Sequence, residues 1–70
     1  MRISARNQLR GKVVSVKLGT IMAEIVVELP DGQQIVSAIT RSSAESLELK
    51  AGDQVAAIIK STEVMIAKDE

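Results

Sequence analysis

Three short stretches of this sequence are rich in hydrogen-bond donors and free of carboxylates: Ser4-Ala5-Arg6-Asn7, Thr40-Arg41-Ser42-Ser43 and Lys60-Ser61-Thr62. Arginine offers a rigid fork of N–H donors, lysine a compact ammonium, and serine and threonine a hydroxyl that turns toward an acceptor. Together these groups grip a carboxylate or a small oxyanion. Ser42 followed three residues later by Glu45 has the spacing of a capping box, which predicts a short helix beginning near Ser42. The first turn of a helix directs unpaired N–H groups and the positive end of its dipole outward, and so favours an anion. Each stretch also has a plainer explanation. Thr40–Ser43 could simply cap a connecting helix, Arg6 could pair with Glu45 or Asp53 on the surface, and Lys60 could close a strand. The coincidence of all three in one small chain is better explained by a shared oxyanion.

The elements that must position these clusters follow from apolar periodicity. Leu9, Val13, Val14, Val16 and Leu18 mark a strand over Leu9–Leu18, with Gly11 suggesting a bulge or sharp bend. After a turn at Gly19-Thr20, the segment Ile21–Leu29 alternates strictly, placing Ile21, Ala23, Ile25, Val27 and Leu29 on one face. Glu24 and Glu28 fall on the other, solvated face. Pro30-Asp31-Gly32 carries Pro where a tight turn fixes φ and Gly where positive φ is needed, so this strand folds back onto Gln34–Ile39 as a hairpin. The short helix follows, then a turn at Lys50-Ala51-Gly52-Asp53. A strand over Gln54–Lys60 and a last strand, Val64–Ala67, complete the chain. Five strands with one short helix between the third and fourth predict an all-β fold, a five-stranded OB-like Greek-key barrel forming a single domain over residues 1–70.

Composition narrows the function. The 70 residues contain no Cys and no His, which removes disulfide staples and ordinary zinc or iron sites. Without Cys, His or paired carboxylates there is nothing from which to build a nucleophile or general base, so the expectation is a binding protein and not an enzyme. Nine Lys+Arg balance nine Asp+Glu, and no Trp, Tyr or Phe is present. An OB-type nucleic-acid binder needs aromatic stacking platforms and a basic groove, and this chain has neither. The opening residues Met1–Arg6 hold no signal-peptide apolar run, and no later run is long enough for a membrane. A cytoplasmic protein with no membrane partner is expected. So short a chain buries little surface, and Ile21–Leu29 with Val55–Ile59 offers more apolar area than one small barrel needs, so subunits should associate.

The stretches Ser4-Ala5-Arg6-Asn7, Ala38-Ile39-Thr40-Arg41-Ser42-Ser43 and Ile58-Ile59-Lys60-Ser61-Thr62, in this order and at these spacings, resemble the signature of the molbindins. These are small cytoplasmic molybdate-binding proteins with a TOBE-like domain, and the resemblance runs over nearly the whole chain. It implies a homo-hexamer built as a trimer of dimers, with oxyanion sites at subunit interfaces and a role in intracellular molybdenum storage or homeostasis. The ligand contacts it implies fall at Ser4, Arg6, Thr40, Ser43, Lys60 and Ser61. The ligand would be molybdate or tungstate, with no organic cofactor and no metal ligated directly by protein atoms. The donor chemistry agrees, because these tetrahedral dianions only accept hydrogen bonds. Hydrogen phosphate carries a proton for which the clusters supply no acceptor, whereas sulfate must be rejected by cavity size. The alternative is an accessory OB-type assembly or nucleic-acid-binding module without oxyanion function.

Overall fold

The computed structural model describes residues 2–69, and its backbone is an antiparallel sheet of four strands with one short helix. β1 runs Asn7–Leu18, β2 Met22–Glu28, β3 Gln34–Thr40 and β4 Gln54–Ile59. Their order across the sheet is β3-β2-β1-β4. β1 is the spine. Its first half pairs with β4, from Asn7 opposite Ile59 to Lys12 opposite Gln54. Its second half pairs with β2, from Lys12 opposite Glu28 to Leu18 opposite Ala23. Lys17 stands opposite Glu24 and Lys12 opposite Glu28, so the exposed face carries cross-strand pairs of opposite charge.

The alternation in β2 does what its period requires. Ala23, Ile25 and Val27 are buried and join Val13 and Ala44 in one core cluster, against which Val16, Ile39, Leu49 and Val55 pack. Ile21, expected on the same face, lies before the strand and is exposed. The hairpin forms as predicted. The Gly32 N–H donates to the Leu29 carbonyl across the turn, and Gly32 takes φ of 92°, a region that favours glycine. The Asp31 carboxylate accepts from the Gln33 backbone N–H and holds the corner.

Three expectations are corrected. The bulge lies between Val13 and Ser15, not at Gly11. Gly11 instead permits a close crossing of β1 over the end of β2. The helix α1 spans Arg41–Ser46 and is capped by Thr40, not Ser42. Glu45 forms no capping box but pairs with Arg41 at 3.3 Å. Finally, Val64–Ala67 is not a fifth strand: a 3-10 turn at Ser61–Glu63 follows β4, and among the described residues the segment beyond it joins no sheet. Val64 keeps extended dihedrals, so the local preference for strand is met without a partner.

Because Thr40 supplies the cap oxygen, replacing it by Val should lower stability by about 1 kcal/mol, whereas Ser should retain most of it. Chemical denaturation at fixed chain concentration checks this, and equal midpoints for Thr40→Val and Thr40→Ser would deny the cap its role.

Candidate oxyanion site

Antiparallel register brings two of the three donor clusters together. Asn7 is paired with Ile59, so Ser4 and Arg6, just before β1, lie at the same end of the sheet as Lys60 and Ser61, just after β4. The Gln8 Nε2 donates to the Ala5 carbonyl at 2.7 Å and braces the segment that carries Ser4 and Arg6. The sequence could not show this brace, because it depends on the chain bending back over three residues.

The charges there are unopposed. The ion pairs among the described residues are Arg41 with Glu45 and Lys50 with Asp53. Glu45 and Asp53, the surface partners considered for Arg6, are thus engaged elsewhere, and neither Arg6 nor Lys60 has a carboxylate partner among the described residues. Glu63, in the turn after Ser61, contributes its backbone N–H to the Lys60 carbonyl but forms no ion pair. Two cations and two hydroxyls at one end of the sheet, all exposed, offer a surface that a dianion would neutralise.

The third cluster is built differently and lies elsewhere. The Thr40 Oγ1 accepts from the Ser43 N–H at 3.1 Å and donates to the Ser43 Oγ at 2.7 Å. The Ser42 and Thr40 hydroxyls lie 3.3 Å apart. The Thr40 hydroxyl is therefore occupied within the cap, and its donation leaves the Ser43 proton free to point outward. Arg41 turns away from this group, donating through Nη1 to the Gly19 carbonyl and through Nε to Glu45. Thr40 pairs with Met22, next to the Leu18 end of β1, whereas Arg6 and Lys60 sit at its Asn7 end. Twelve residues of strand separate the two ends, a contour of roughly 40 Å. One chain therefore places Ser4, Arg6, Lys60 and Ser61 at the same end of its sheet and Thr40 and Ser43 at the other.

Among the described residues no group of His, Cys, Asp or Glu could hold a metal ion, and no helix is long and apolar enough to cross a membrane. Comparison with known proteins gives a consistent set. The TOBE domain model matches residues 3–66. The molybdenum-pterin-binding protein 3 of Clostridium pasteurianum is 53% identical over 66 residues, which cover 94% of this chain and 97% of that protein. Among solved structures, MopII from Clostridium pasteurianum superposes with a TM-score of 0.91 at 49% identity, covering 96% of this chain and all of the other. A molybdate-binding protein from Sporomusa ovata gives the same TM-score at 43% identity, covering 97% of this chain and all of that one.

Proposed function

Since the chain belongs to the TOBE domain family, as a small protein of the molbindin or Mop type, we propose that it binds molybdate as the free oxyanion. It is a binding protein rather than an enzyme, as its relatives are. The observation that carries the molybdate assignment is the unopposed pair Arg6 and Lys60, held with Ser4 and Ser61 by the β1–β4 register at a place without a bound carboxylate. Molybdate and tungstate accept hydrogen bonds and donate none, so a set made of guanidinium, ammonium and hydroxyl donors matches them. The names of several relatives include a pterin. A pterin ring is flat and asks for a stacking surface, and this chain has no aromatic side chain to provide one. The bare dianion fits the donor set better.

The full site comprises Ser4, Arg6, Thr40, Ser43, Lys60 and Ser61, contributed by two copies of the chain. Separation of the Thr40 cluster from the Arg6 and Lys60 cluster along β1 supports this, since only a second copy can bring the two together. The assembly is a homo-hexamer arranged as a trimer of dimers, each subunit a single OB-like barrel, and it stores or buffers molybdate in the cytoplasm.

Equilibrium dialysis of the protein against molybdate, with no pterin present, tests the assignment. Saturable binding is expected, with tungstate as a competitor. Hydrogen phosphate should compete roughly 5- to 150-fold less well, because its O–H would be buried without an acceptor at a cost of about 1–3 kcal/mol. Equal competition by phosphate would mean that the site contains an acceptor, and the donor-only set would be wrong.

A further inference from the structure

Of the four glycines in the chain, Gly32 alone follows an aspartate. Such a step carries its own electrophile and nucleophile, because the aspartate carboxyl carbon and the next backbone nitrogen can close a five-membered ring. Glycine leaves that approach uncrowded. Asp53 and Asp69 are each followed by a residue whose Cβ obstructs the same closure.

Asp31, Gly32 and Gln33 are all exposed, and a Cβ built on Gly32 would meet nothing within 4 Å, so the corner has both space and water. Yet both reacting groups are held. The Asp31 Oδ1 accepts from the Gln33 backbone N–H at 3.1 Å, and its Oδ2 accepts from the Gln33 Nε2 at 2.7 Å. The Gly32 N–H donates to the Leu29 carbonyl at 2.9 Å, and the Leu29 N–H donates to the Gln33 carbonyl at 2.7 Å. Pro30 fixes φ beside them. A carboxylate bound through both oxygens to the residue beyond Gly32 must release both bonds before its carbon can turn onto the Gly32 nitrogen. No ion pair holds Asp31 among the described residues, so Gln33 supplies the restraint.

We propose that Asp31-Gly32 is a self-modification site, at which Asp31 converts to isoaspartate, and that the Gln33 side chain is the latch that sets its rate in the folded chain. The Gly32 nitrogen bonds to the Asp31 Cγ, the bond from Cγ to its hydroxyl breaks, and the amide hydrogen and that hydroxyl leave as water. The product is a succinimide. Water then adds back at one of the two ring carbonyls: cleavage between nitrogen and Cγ restores aspartate, whereas cleavage between nitrogen and the backbone carbonyl carbon leaves the chain running through Cβ and Cγ. Water is the only co-reactant, and nothing is oxidised or reduced. The main chain is then one methylene longer at the corner. The Gly32 to Leu29 and Leu29 to Gln33 bonds cannot both close around it, so the end of the ladder where Glu28 pairs with Gln34 loosens.

Trypsin releases the corner within one peptide, Leu18–Arg41, in which electron-based fragmentation distinguishes isoaspartate from aspartate. The intact chain is aged in warm neutral buffer, folded or unfolded in guanidinium, and after removal of denaturant its isoaspartate is titrated with an isoaspartyl carboxyl methyltransferase and a labelled methyl donor. Isoaspartate is expected at Asp31, forming at least about 10-fold faster in the unfolded chain, where the carboxyl and the amide are both released. Gln33→Leu removes the Nε2 donor but keeps the backbone bond, and should speed the reaction of the folded chain roughly 3- to 10-fold, whereas Gln33→Lys offers another donor and should stay near the parent. Asp31→Ser should abolish the label. No isoaspartate at Asp31 in guanidinium, or a label that survives Asp31→Ser, would overturn the site. Equal rates in the folded and unfolded parent, a folded Gln33→Leu chain no faster than the parent, or Gln33→Lys as fast as Gln33→Leu would overturn the latch. Denaturation midpoints are measured alongside, and acceleration that merely follows a lowered midpoint would also overturn it, since a latch acts without unfolding the chain.

Discussion

Two chains that each fail to bind molybdate are expected to bind it when co-expressed. Ser43→Asp places a carboxylate where the outward hydroxyl of the Thr40 cluster stands, so it repels a dianion. It sits in the first turn of α1, where a negative charge suits the helix, and the fold should tolerate it. Arg6→Glu does the same at the other cluster, on an exposed residue outside any strand. If both clusters of one site came from one chain, every site in the mixture would carry one defect. If they come from two chains, a site that takes Ser43 from the Arg6→Glu chain and Arg6 from the Ser43→Asp chain is intact. Random assembly makes about a quarter of the sites intact. Dialysis of the co-expressed mixture should recover about that fraction of the wild-type capacity, at wild-type affinity, from variants that separately bind at least 100-fold more weakly, equivalent to about 2.7 kcal/mol or more. Recovery indistinguishable from zero, with mixed oligomers shown to form, would require a site closed within one subunit.

Much of the fold could be read locally, because its determinants are local. The alternation around Ala23, Ile25 and Val27 specifies β2 and its buried face, and Pro30-Asp31-Gly32 specifies the return into β3. The cap lies two residues before Ser42, and sequence alone does not choose between them because Thr40 and Ser42 are both good caps. Only the geometry at the end of β3 decides that Thr40 holds the extended conformation a cap requires. Val64–Ala67 exposes a deeper limit. Period and β-branching express a preference for extended backbone, which Val64 satisfies, yet they carry no information about whether a neighbouring strand is there to pair with. The donor clusters show the same division. Their chemistry was visible in the residue types, but that Arg6 and Lys60 share one end of the sheet while Thr40 lies at the other depends on strand register, to which residue spacing is blind.

Gly11→Ala is expected to be among the most damaging single substitutions in the chain, although it adds one methyl group. Gly11 is fully enclosed in β1, opposite Val55, one residue before the strand passes from β4 to β2 as its partner. A Cβ at this position would stand 2.5 Å from the Glu28 carbonyl oxygen and 2.8 Å from the Val27 Cγ1. The valine methyl can rotate away at small cost, but the carbonyl oxygen is backbone. Moving it disturbs the pairing of Lys12 with Glu28, where the β1–β2 ladder begins, and shifts Val27 within the core. Overpacking of this kind costs about 1–3 kcal/mol, and the strained ladder places this site at or above the upper end. Gly32 provides the contrast. A Cβ there meets nothing within 4 Å, and its φ of 92° makes Ala costly by only about 1–2 kcal/mol, which Asn should partly relieve. Urea unfolding at one fixed chain concentration, so that assembly contributes equally, should rank Gly11→Ala well below Gly32→Ala, and Gly32→Asn nearest to the parent. A loss under about 1 kcal/mol for Gly11→Ala would mean that β1 and β2 can separate at Lys12 without consequence. The crossing that turns the sheet over its core would then not depend on glycine.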